Sequence, residues 1–444
     1  MDSRRRALLL GLMAAGTAAY VPPLLAGPAP ALQWQGSVEV ARGRGLRGPW
    51  QQNESRYDFV DDPSVALDDA GEAAIAWVDQ ARKAVLFQRY SAEGKPLLAQ
   101  PVDVSRQPRT FSWLPRVALA PGLPRRVWVL WQEIIFSGGS HGGEMFMARS
   151  QDGGKSFAAP VNLSRSVGGD GKGRVNREVW HNGSHDLVAG PGGVAYAAWT
   201  EYEGPLWLSR SVEGGAAFSR PVRIAGEQAP ARAPSLAVGA DAALYLAWTL
   251  GDDDAADIHV ARSMDGGQSF AAPVRVAASP GYSDAPRIAV DAQGVLHLVY
   301  AESSAGPFGS YRVFYTRSRD GGLGFEAPQA ISDRLPPGFT SAAFPELALD
   351  ARGRVFVLFE LFRTPREPSL GLALAISGDR GRSFSPAVMV PGSVDPGGGF
   401  NGSSQGLLMR KLAVNASSHV AIVNSSLKQG SHSRVWLLRG SLPR

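Results

Sequence analysis

A short polar pattern recurs along this chain at nearly constant spacing, and this repeat constrains the fold more than any other feature of the sequence. The pattern reads Ser-x-Asp-x-Gly-x-Ser-Phe, and its clear copies begin at Ser150, Ser211, Ser263, Ser318 and Ser377. A more decayed copy lies at residues 91–94. Recurrence at roughly 50–60 residues indicates a repeat architecture in which each unit is one supersecondary element.

Each copy of the pattern lies inside a larger unit that reads as four short strands. Residues 286–331 illustrate it: a strand opens at Pro286, a second strand ends at Tyr300, a third strand alternates, and the polar turn leads into a fourth. Four short strands joined by fixed turns and repeated along a chain are typical of propeller blades. We therefore predict an all-β propeller of four-stranded antiparallel blades.

The two ends of the chain decide the predicted number of blades. Six units precede residue 400, and residues 411–438 supply three more strands without a fourth. Residues 32–40 can supply the missing strand, which would close the ring and remove its open sheet edges. We predict seven blades within a single domain of residues 32–444. A six-bladed ring with the C-terminal strands outside it is the alternative.

The first 31 residues read as a targeting segment rather than as part of the fold. Arg4, Arg5 and Arg6 precede an apolar run at residues 7–19, and Ala29-Pro30-Ala31 has the small-x-small cleavage pattern. These are the marks of a signal peptide, with a twin-arginine signal as a variant. We expect an exported protein, periplasmic or secreted, with no membrane span in the mature chain.

Composition excludes several classes of function. The chain has no cysteine, which removes disulfides and thiolate metal sites, and its seven histidines are scattered. We expect no metal and no other cofactor, although the acidic run at residues 252–257 leaves calcium binding open. The net charge is +5, but no run of Lys or Arg follows the leader, so we expect no nucleic-acid partner. We expect a monomer.

The repeated pattern resembles the Asp-box (BNR) repeat of the sialidase-like superfamily, and the resemblance covers most of the chain after residue 60. In such a turn the Ser and Asp side chains accept backbone N–H bonds, and the glycines adopt positive φ. We therefore interpret the repeated carboxylates as structural. The turn joins strands three and four, which places it on the face opposite the start of each innermost strand.

The innermost strands of a propeller line its axis, so matching positions along them should converge. The first polar positions of these strands are Ser64, Arg116, Asp186, Ser235, Arg287, Glu346 and Lys411. We expect the charged members to converge on one open cavity, with Trp113, His181, His185 and Tyr282 on its rim. Trp180, next to His181, is a further candidate for ligand contact. Guanidinium groups bind carboxylates and flat aromatic faces stack on sugar rings, so this set predicts an acidic glycan as ligand.

Resemblance to sialidases implies particular roles for some of these residues. Arg116, Arg287 and Arg410 are similar to the arginine triad that grips the substrate carboxylate. Tyr282 would be the nucleophile, with Glu346 or Glu178 as its partner; Asp61 or Asp62 would be the acid/base, and Asp186 a further carboxylate of the catalytic set. The chain departs from the family at Asp61-Asp62-Pro63, where an arginine is expected, and in having seven blades instead of six.

Three functions remain open from the sequence. The first is a sialidase-like glycoside hydrolase acting on an acidic glycan. The second is a non-catalytic propeller that binds a glycan or a partner protein through the same face. The third is a structural ring whose axial charges only pair with one another. Whether the protein is an enzyme is not decided by the sequence.

Overall fold

The computed structural model describes residues 32–49, 51, 54–106, 110–133, 143–164, 172–174, 180–182, 185–201, 204–212, 215–251, 256–401 and 409–443. The predicted signal peptide, Glu178 and residues 252–255 lie outside these ranges. Within them, no helix has the length and apolar character needed to cross a membrane.

Seven four-stranded antiparallel sheets form a ring, which confirms the predicted β-propeller. We number the blades in chain order and give the strands of each from the innermost outward. Blade 1 contains Val60–Leu67, Ala73–Asp79, Ala84–Tyr90 and Val102–Asp103. Blade 2 contains Ser112–Ala120, Leu123–Glu133, Glu144–Ser150 and Val161–Asn162. Blade 3 contains His185–Ala189, Ala195–Thr200 and Leu206–Val212, and two short strands, Ala217–Phe218 and Val222–Ala225, pair with the third of these.

Blades 4 to 6 have the same plan. Blade 4 contains Ala231–Val238, Leu244–Leu250, Asp257–Ser263 and Val274–Arg275. Blade 5 contains Tyr282–Val290, Leu296–Ser303, Arg312–Ser318 and Gln329–Ala330. Blade 6 contains Ser341–Leu349, Val355–Phe362, Gly371–Ser377 and Val388–Met389. A two-stranded hairpin, Lys172–Arg174 and Trp180–Asn182, precedes blade 3, and a single 3-10 turn, Pro191–Gly193, lies within that blade.

Blade 7 is built from both ends of the chain, as predicted. Leu412–Val414, His419–Lys428 and His432–Ser441 are its inner three strands, and Gln33–Trp34 and Val38–Arg44 pair with the third of these. Val38 lies opposite Leu437, and Arg44 lies opposite His432. The innermost strand of blade 1 contacts blade 7 on one side and blade 2 on the other, so the ring is closed and the six-bladed alternative is wrong.

Large apolar side chains between neighbouring blades form the core. Five tryptophans are at most 1% exposed: Trp77, Trp128, Trp131, Trp199 and Trp248. Trp131 of blade 2, for example, packs in one cluster with Phe87 of blade 1. Because both faces of a blade are covered by its neighbours, the central strands are buried on both sides, and their removal from water is the main stabilising contribution.

The repeated polar turns are held by their own side chains. In the turn at residues 263–270, the Ser263 hydroxyl accepts the Gly267 N–H at 2.8 Å, and the Asp265 carboxylate accepts the Ser269 N–H at 3.0 Å. The turns that begin at Ser150, Ser318 and Ser377 contain the same pair of bonds. The backbone bonds predicted for this Ser and Asp are therefore present in these four turns.

Five innermost strands contain the same strained bulge. The residue before a proline has a positive φ of 51–54° in blades 1, 2, 4, 5 and 6: Asp62, Leu114, Ala233, Ala285 and Phe344. The pairing register shifts across each of these sites, with one such shift between Trp113 and Arg116. A bulge re-aims the side chain that follows it, and a left-handed non-glycine residue costs about 1–3 kcal/mol. The bulges set the direction of the residues after the prolines.

Candidate functional site

The charged positions of the innermost strands converge at the axis, close to the face on which those strands begin; we call this face the channel mouth. Nε of Arg410 donates to Oδ1 of Asp186 at 3.0 Å, and a second Arg410 nitrogen donates to Oδ2. Nε of Arg287 donates to Oε1 of Glu346 at 3.1 Å, and Nη1 of Arg410 lies 3.7 Å from Oε2 of the same glutamate. Side chains from blades 3, 5 and 6 thus meet the arginine that leads into blade 7.

Four of the converging side chains are buried, and not exposed to an open cavity as expected. Arg116, Asp186, Arg287 and Glu346 are at most 3% exposed, because they are packed against one another and paired across the axis. Arg410 differs, since 19% of its side chain is exposed. Arg410 is thus the most exposed side chain of this cluster.

Arg116 supplies a third guanidinium to the cluster. Its Nη1 donates to the carbonyl oxygens of Leu114 and Pro115, at 3.3 and 3.1 Å. Burial, together with the positive charges of Arg287 and Arg410, lowers the pKa of Arg116 to about 9. Arg116, Arg287 and Arg410 therefore lie close enough for their charges to interact.

Leu114, the bulge residue of blade 2, connects two titratable groups from different blades. Its N–H donates to Oδ2 of Asp62 in blade 1 at 3.1 Å, and its carbonyl oxygen lies 2.7 Å from Nε2 of His185 in blade 3. Because a carbonyl oxygen can only accept, Nε2 of His185 carries the proton, and Nδ1 has a free lone pair. Among the described residues this buried Nδ1 has no hydrogen-bond partner.

Burial moves the pKa values of these two groups in opposite directions. It lowers the pKa of His185 to about 3, with the Arg116 charge acting in the same sense, so the imidazole is neutral at pH 7. Burial and the neighbouring Asp61 raise the pKa of Asp62 to about 8, so this carboxyl is protonated at pH 7. At pH 7 the site therefore contains a neutral imidazole and a protonated carboxyl, and both hydrogen-bond the backbone of Leu114.

Asp62→Asn should change how stability depends on pH. The folded pKa of Asp62 lies above the ordinary aspartate value of about 3.9, so wild-type stability falls as pH rises between about 4 and 8. Asparagine cannot ionise and can still accept the Leu114 N–H. We expect the variant to gain about 1 kcal/mol or more over wild type between pH 5 and pH 8, measured by urea unfolding. Parallel pH profiles of the two proteins would contradict the assignment.

Tyr282 lies in a second cluster, between blades 4 and 5. Its hydroxyl accepts a hydrogen bond from Arg232, whose guanidinium also lies 5.1 Å from the centre of the tyrosine ring. Nε of Arg232 is 3.7 Å from Asp284, and the ring of Tyr311 packs edge-on against Tyr282. The structure therefore gives Tyr282 an arginine partner, whereas the partners of Glu346 are Arg287 and Arg410.

Arg232 is not among the site residues predicted from the sequence. It stands two residues before Pro234, whereas the predicted axial residue of blade 4 is Ser235, which follows that proline. The same position in other blades holds Asp61, Trp113 and Asp284. A second alignment at that position would have revealed this ring of polar and aromatic residues.

The remaining predicted residues are distributed around the mouth. Lys411, expected among the converging charges, instead pairs with Glu360 and donates to Asn401 at 2.8 Å. Trp113 is half-buried and packs against Leu114 and Met409. Trp180 and His181 belong to the hairpin before blade 3, whose first strand lies against Ala231–Val238. In the described part of the chain, no group of three or more His, Asp or Glu is arranged to hold a metal.

Comparisons with known proteins identify the fold. No protein-family model matches the chain, and no curated protein matches it in sequence. The structure is similar to a protein of unknown function from Dyadobacter fermentans DSM 18053, with a TM-score of 0.53 at 14% identity, covering 77% of this chain and 97% of that one. It is also similar to a PL25 ulvan lyase bound to -[GlcA(1-4)Rha3S]-, with a TM-score of 0.53 at 10% identity over 91% and 95% of the two chains. The sialidase Hz136 matches with a TM-score of 0.46 at 13% identity, covering 83% and 74%.

Proposed function

We propose that this protein is an exported carbohydrate-active propeller that acts on an acidic glycan at the channel mouth. The observation that carries the proposal is the convergence of Arg116, Arg287 and Arg410, from three separate parts of the ring, beside Asp186 and Glu346. Guanidinium groups are suited to carboxylate recognition because they donate two parallel hydrogen bonds. That an ulvan lyase with a glucuronate-containing ligand has a similar fold agrees with such a substrate, by analogy of fold alone.

In the proposed reaction Asp62 is the acid and donates its proton to the leaving glycosidic oxygen. The pKa of His185 is too low for it to hold a proton at pH 7, so its neutral Nδ1 would orient the attacking water by accepting a hydrogen bond. Asp62, ionised once the glycosidic bond has broken, would take the proton that this water releases. The two groups share the Leu114 backbone, so both are held beside the arginine cluster. Tyr282 and Glu346, predicted as a nucleophile and its partner, are assigned supporting roles here because each is bonded to an arginine.

The test is a screen of the purified protein against acidic glycans, read by binding and by catalysis. The panel contains polygalacturonate, ulvan, alginate and polysialate, together with a fluorogenic sialoside. Hydrolysis is followed by release of reducing ends or fluorophore, and elimination by ultraviolet absorbance of the unsaturated product. Binding by titration calorimetry separates an enzyme from a non-catalytic receptor.

Arg410→Lys tests the site while keeping its positive charge opposite Asp186. We expect affinity or turnover on the responding glycan to fall about ten- to a hundredfold, or about 1.5–3 kcal/mol, as for a lost hydrogen bond to a charged group. Arg312→Lys, at an exposed arginine of blade 5, is the matched control. Equal behaviour of the two variants, or no response from any glycan, would refute the proposed site.

A non-catalytic glycan receptor is the second candidate, and one observation favours it. Both acidic members of the cluster, Asp186 and Glu346, are already paired with arginines and buried. Carboxylates in that state are poorly placed to attack a substrate. Arg410-dependent binding without any product in the catalytic assays would select this candidate.

A further inference from the structure

Four aromatic side chains form a contiguous cluster at the channel mouth, where blades 1 and 2 meet. The ring of Tyr57 lies 5.5 Å from that of Phe59 and 5.6 Å from that of Phe111, centre to centre. The Trp113 ring is 6.2–6.5 Å from the other three, and it meets Tyr57 edge-on. We call these four residues the aromatic platform.

The platform has a buried base and a partly exposed surface. Phe59 and Phe111 are fully buried, whereas Tyr57 and Trp113 are half-buried. Tyrosine and tryptophan are the aromatic residues that combine an apolar face with a polar edge, which suits contact with a hydrated sugar ring. The exposed part of the platform therefore has the chemistry of a sugar-stacking surface.

Two cations lie on the same rings. The Arg47 guanidinium is 4.9 Å from the centre of the Phe59 ring, and the Lys83 ammonium is 4.8 Å from the centre of the Phe111 ring. Both distances are within the range of cation–π contacts. Both side chains are half-buried, so their charges remain near the surface. An acidic sugar that contacts Tyr57 and Trp113 would therefore lie near two positive charges.

The platform is continuous with the arginine cluster. Trp113 packs against Leu114 and Met409. The Met409 carbonyl accepts a hydrogen bond from Nη2 of Arg287 at 3.3 Å, and Arg410 is the next residue along the chain. A saccharide whose carboxylate reaches Arg410 would therefore place its neighbouring unit towards blades 1 and 2.

We infer that the aromatic platform, with Arg47 and Lys83, is a second subsite for an acidic polysaccharide, so that the protein recognises an internal stretch of a polymer and not a single terminal sugar. This inference rests on the proposed function. The complementary charge and the connection through Trp113 and Met409 select an anionic polymer as the occupant. The subsite extends outward across the seam between blades 1 and 2.

The experiment compares saccharides of two lengths. Affinities are measured by titration calorimetry for galacturonic acid and its tetramer, sialic acid and its tetramer, and glucuronic acid and an ulvan tetrasaccharide. The wild type is compared with Trp113→Ala and Arg47→Glu. Arg312→Glu is the matched control, because Arg312 also lies over an aromatic ring, 5.2 Å from the centre of Phe314, but in blade 5.

We expect at least one tetramer to bind the wild type tenfold or more tightly than its monosaccharide. Trp113→Ala and Arg47→Glu should each reduce that ratio severalfold, and Arg312→Glu should not. Arg47→Glu changes a surface charge, so it keeps the test valid if Trp113→Ala fails to fold. Tetramers that bind no better than monosaccharides, or platform variants that behave like the control, would overturn the inference.

The outcomes separate this inference from the proposed function. Arg410-dependent binding without any gain from chain length would leave the proposed function standing and overturn the subsite. Tetramer binding that is lost in Trp113→Ala but unchanged in Arg410→Lys would refute the proposed site and support the platform. Failure of every saccharide to bind would overturn both.

Discussion

Replacing Asp186 with alanine is expected to lower the free energy of unfolding by about 3–5 kcal/mol, the range for breaking one side of a buried ion pair. The carboxylate is fully buried, is paired in a fork with Arg410, and accepts the Leu236 N–H at 2.8 Å. Its loss removes the close partner of the Arg410 guanidinium and leaves the Leu236 N–H without its acceptor. Chemical unfolding at pH 7 measures the effect.

Two comparisons test the physical reason for that loss. Asp241→Ala removes an exposed carboxylate that also pairs with an arginine, Arg262 at 3.3 Å, and should cost less than about 1 kcal/mol. The double variant Asp186→Ala/Arg410→Ala should cost less than the sum of its single changes, because no buried charge is then unpaired. An Asp186→Ala protein as stable as Asp241→Ala would show that the pair contributes nothing.

The Asp186–Arg410 pair stabilises the folded protein by an amount that depends on pH. Burial opposes ionisation of Asp186, but Arg410, Arg287 and the Leu236 N–H outweigh it, and the pKa of Asp186 is lowered. A lowered pKa means that the stabilisation is complete above about pH 4 and is lost as pH falls through the folded value. The effect of Asp186 is therefore seen below about pH 4. The effect of Asp62 is seen between about pH 4 and 8, where stability falls as pH rises.

Removing residues 32–44 is expected to expose the third strand of blade 7 and to destabilise the protein. The strands Gln33–Trp34 and Val38–Arg44 are the outer pairing partners of His432–Ser441. Val38, Val40 and Ala41 also pack against the core between blades 7 and 1, and their contacts alone contribute about 3 kcal/mol. The shortened protein should melt earlier and associate through the exposed strand, which calorimetry and size-exclusion chromatography would show.

Two controls accompany the deletion of residues 32–44: a point variant in the same strand and a peptide that replaces the deleted segment. Glu39→Ala changes an exposed residue of the same strand, which pairs with the exposed Arg42, and should cost less than about 1 kcal/mol. A synthetic peptide of residues 32–47 should restore the melting temperature of the shortened protein. A shortened protein that is monomeric and melts like wild type would mean that blade 7 does not depend on the N-terminal strand.

The blades were predictable because their signals are local. The turn at residues 263–270 is held by Ser263 and Asp265, which belong to that turn, so the pattern of residues and the bonds that they make coincide. The closing of the ring followed from counting strands, since three strands at one end of the chain require a fourth. Neither conclusion needed knowledge of distant contacts.

For the site, the sequence predicts where the axial residues lie but not which residues they pair with. Aligning the innermost strands correctly placed Arg116, Asp186, Arg287 and Glu346 around one axis, because residues at the same register share a height and a radius. Their partners could not be predicted, since pairing depends on how side chains from different blades cross the axis. The link through Leu114 between Asp62 and His185 depends on a bulge whose backbone is not visible in the pattern of residues.

The repeated bulge also affects how such a ring can acquire new chemistry. In five blades the innermost strand contains a proline at the same position, preceded by a residue with positive φ. The residue after the proline differs from blade to blade: Ser64, Arg116, Ser235, Arg287 or Glu346. Each blade thus presents one interchangeable position at the same height on the axis, held by a backbone that does not depend on which residue occupies it. Substitutions there can be combined blade by blade, so a single scaffold offers a combinatorial set of axial sites and can diverge in ligand while its architecture stays constant.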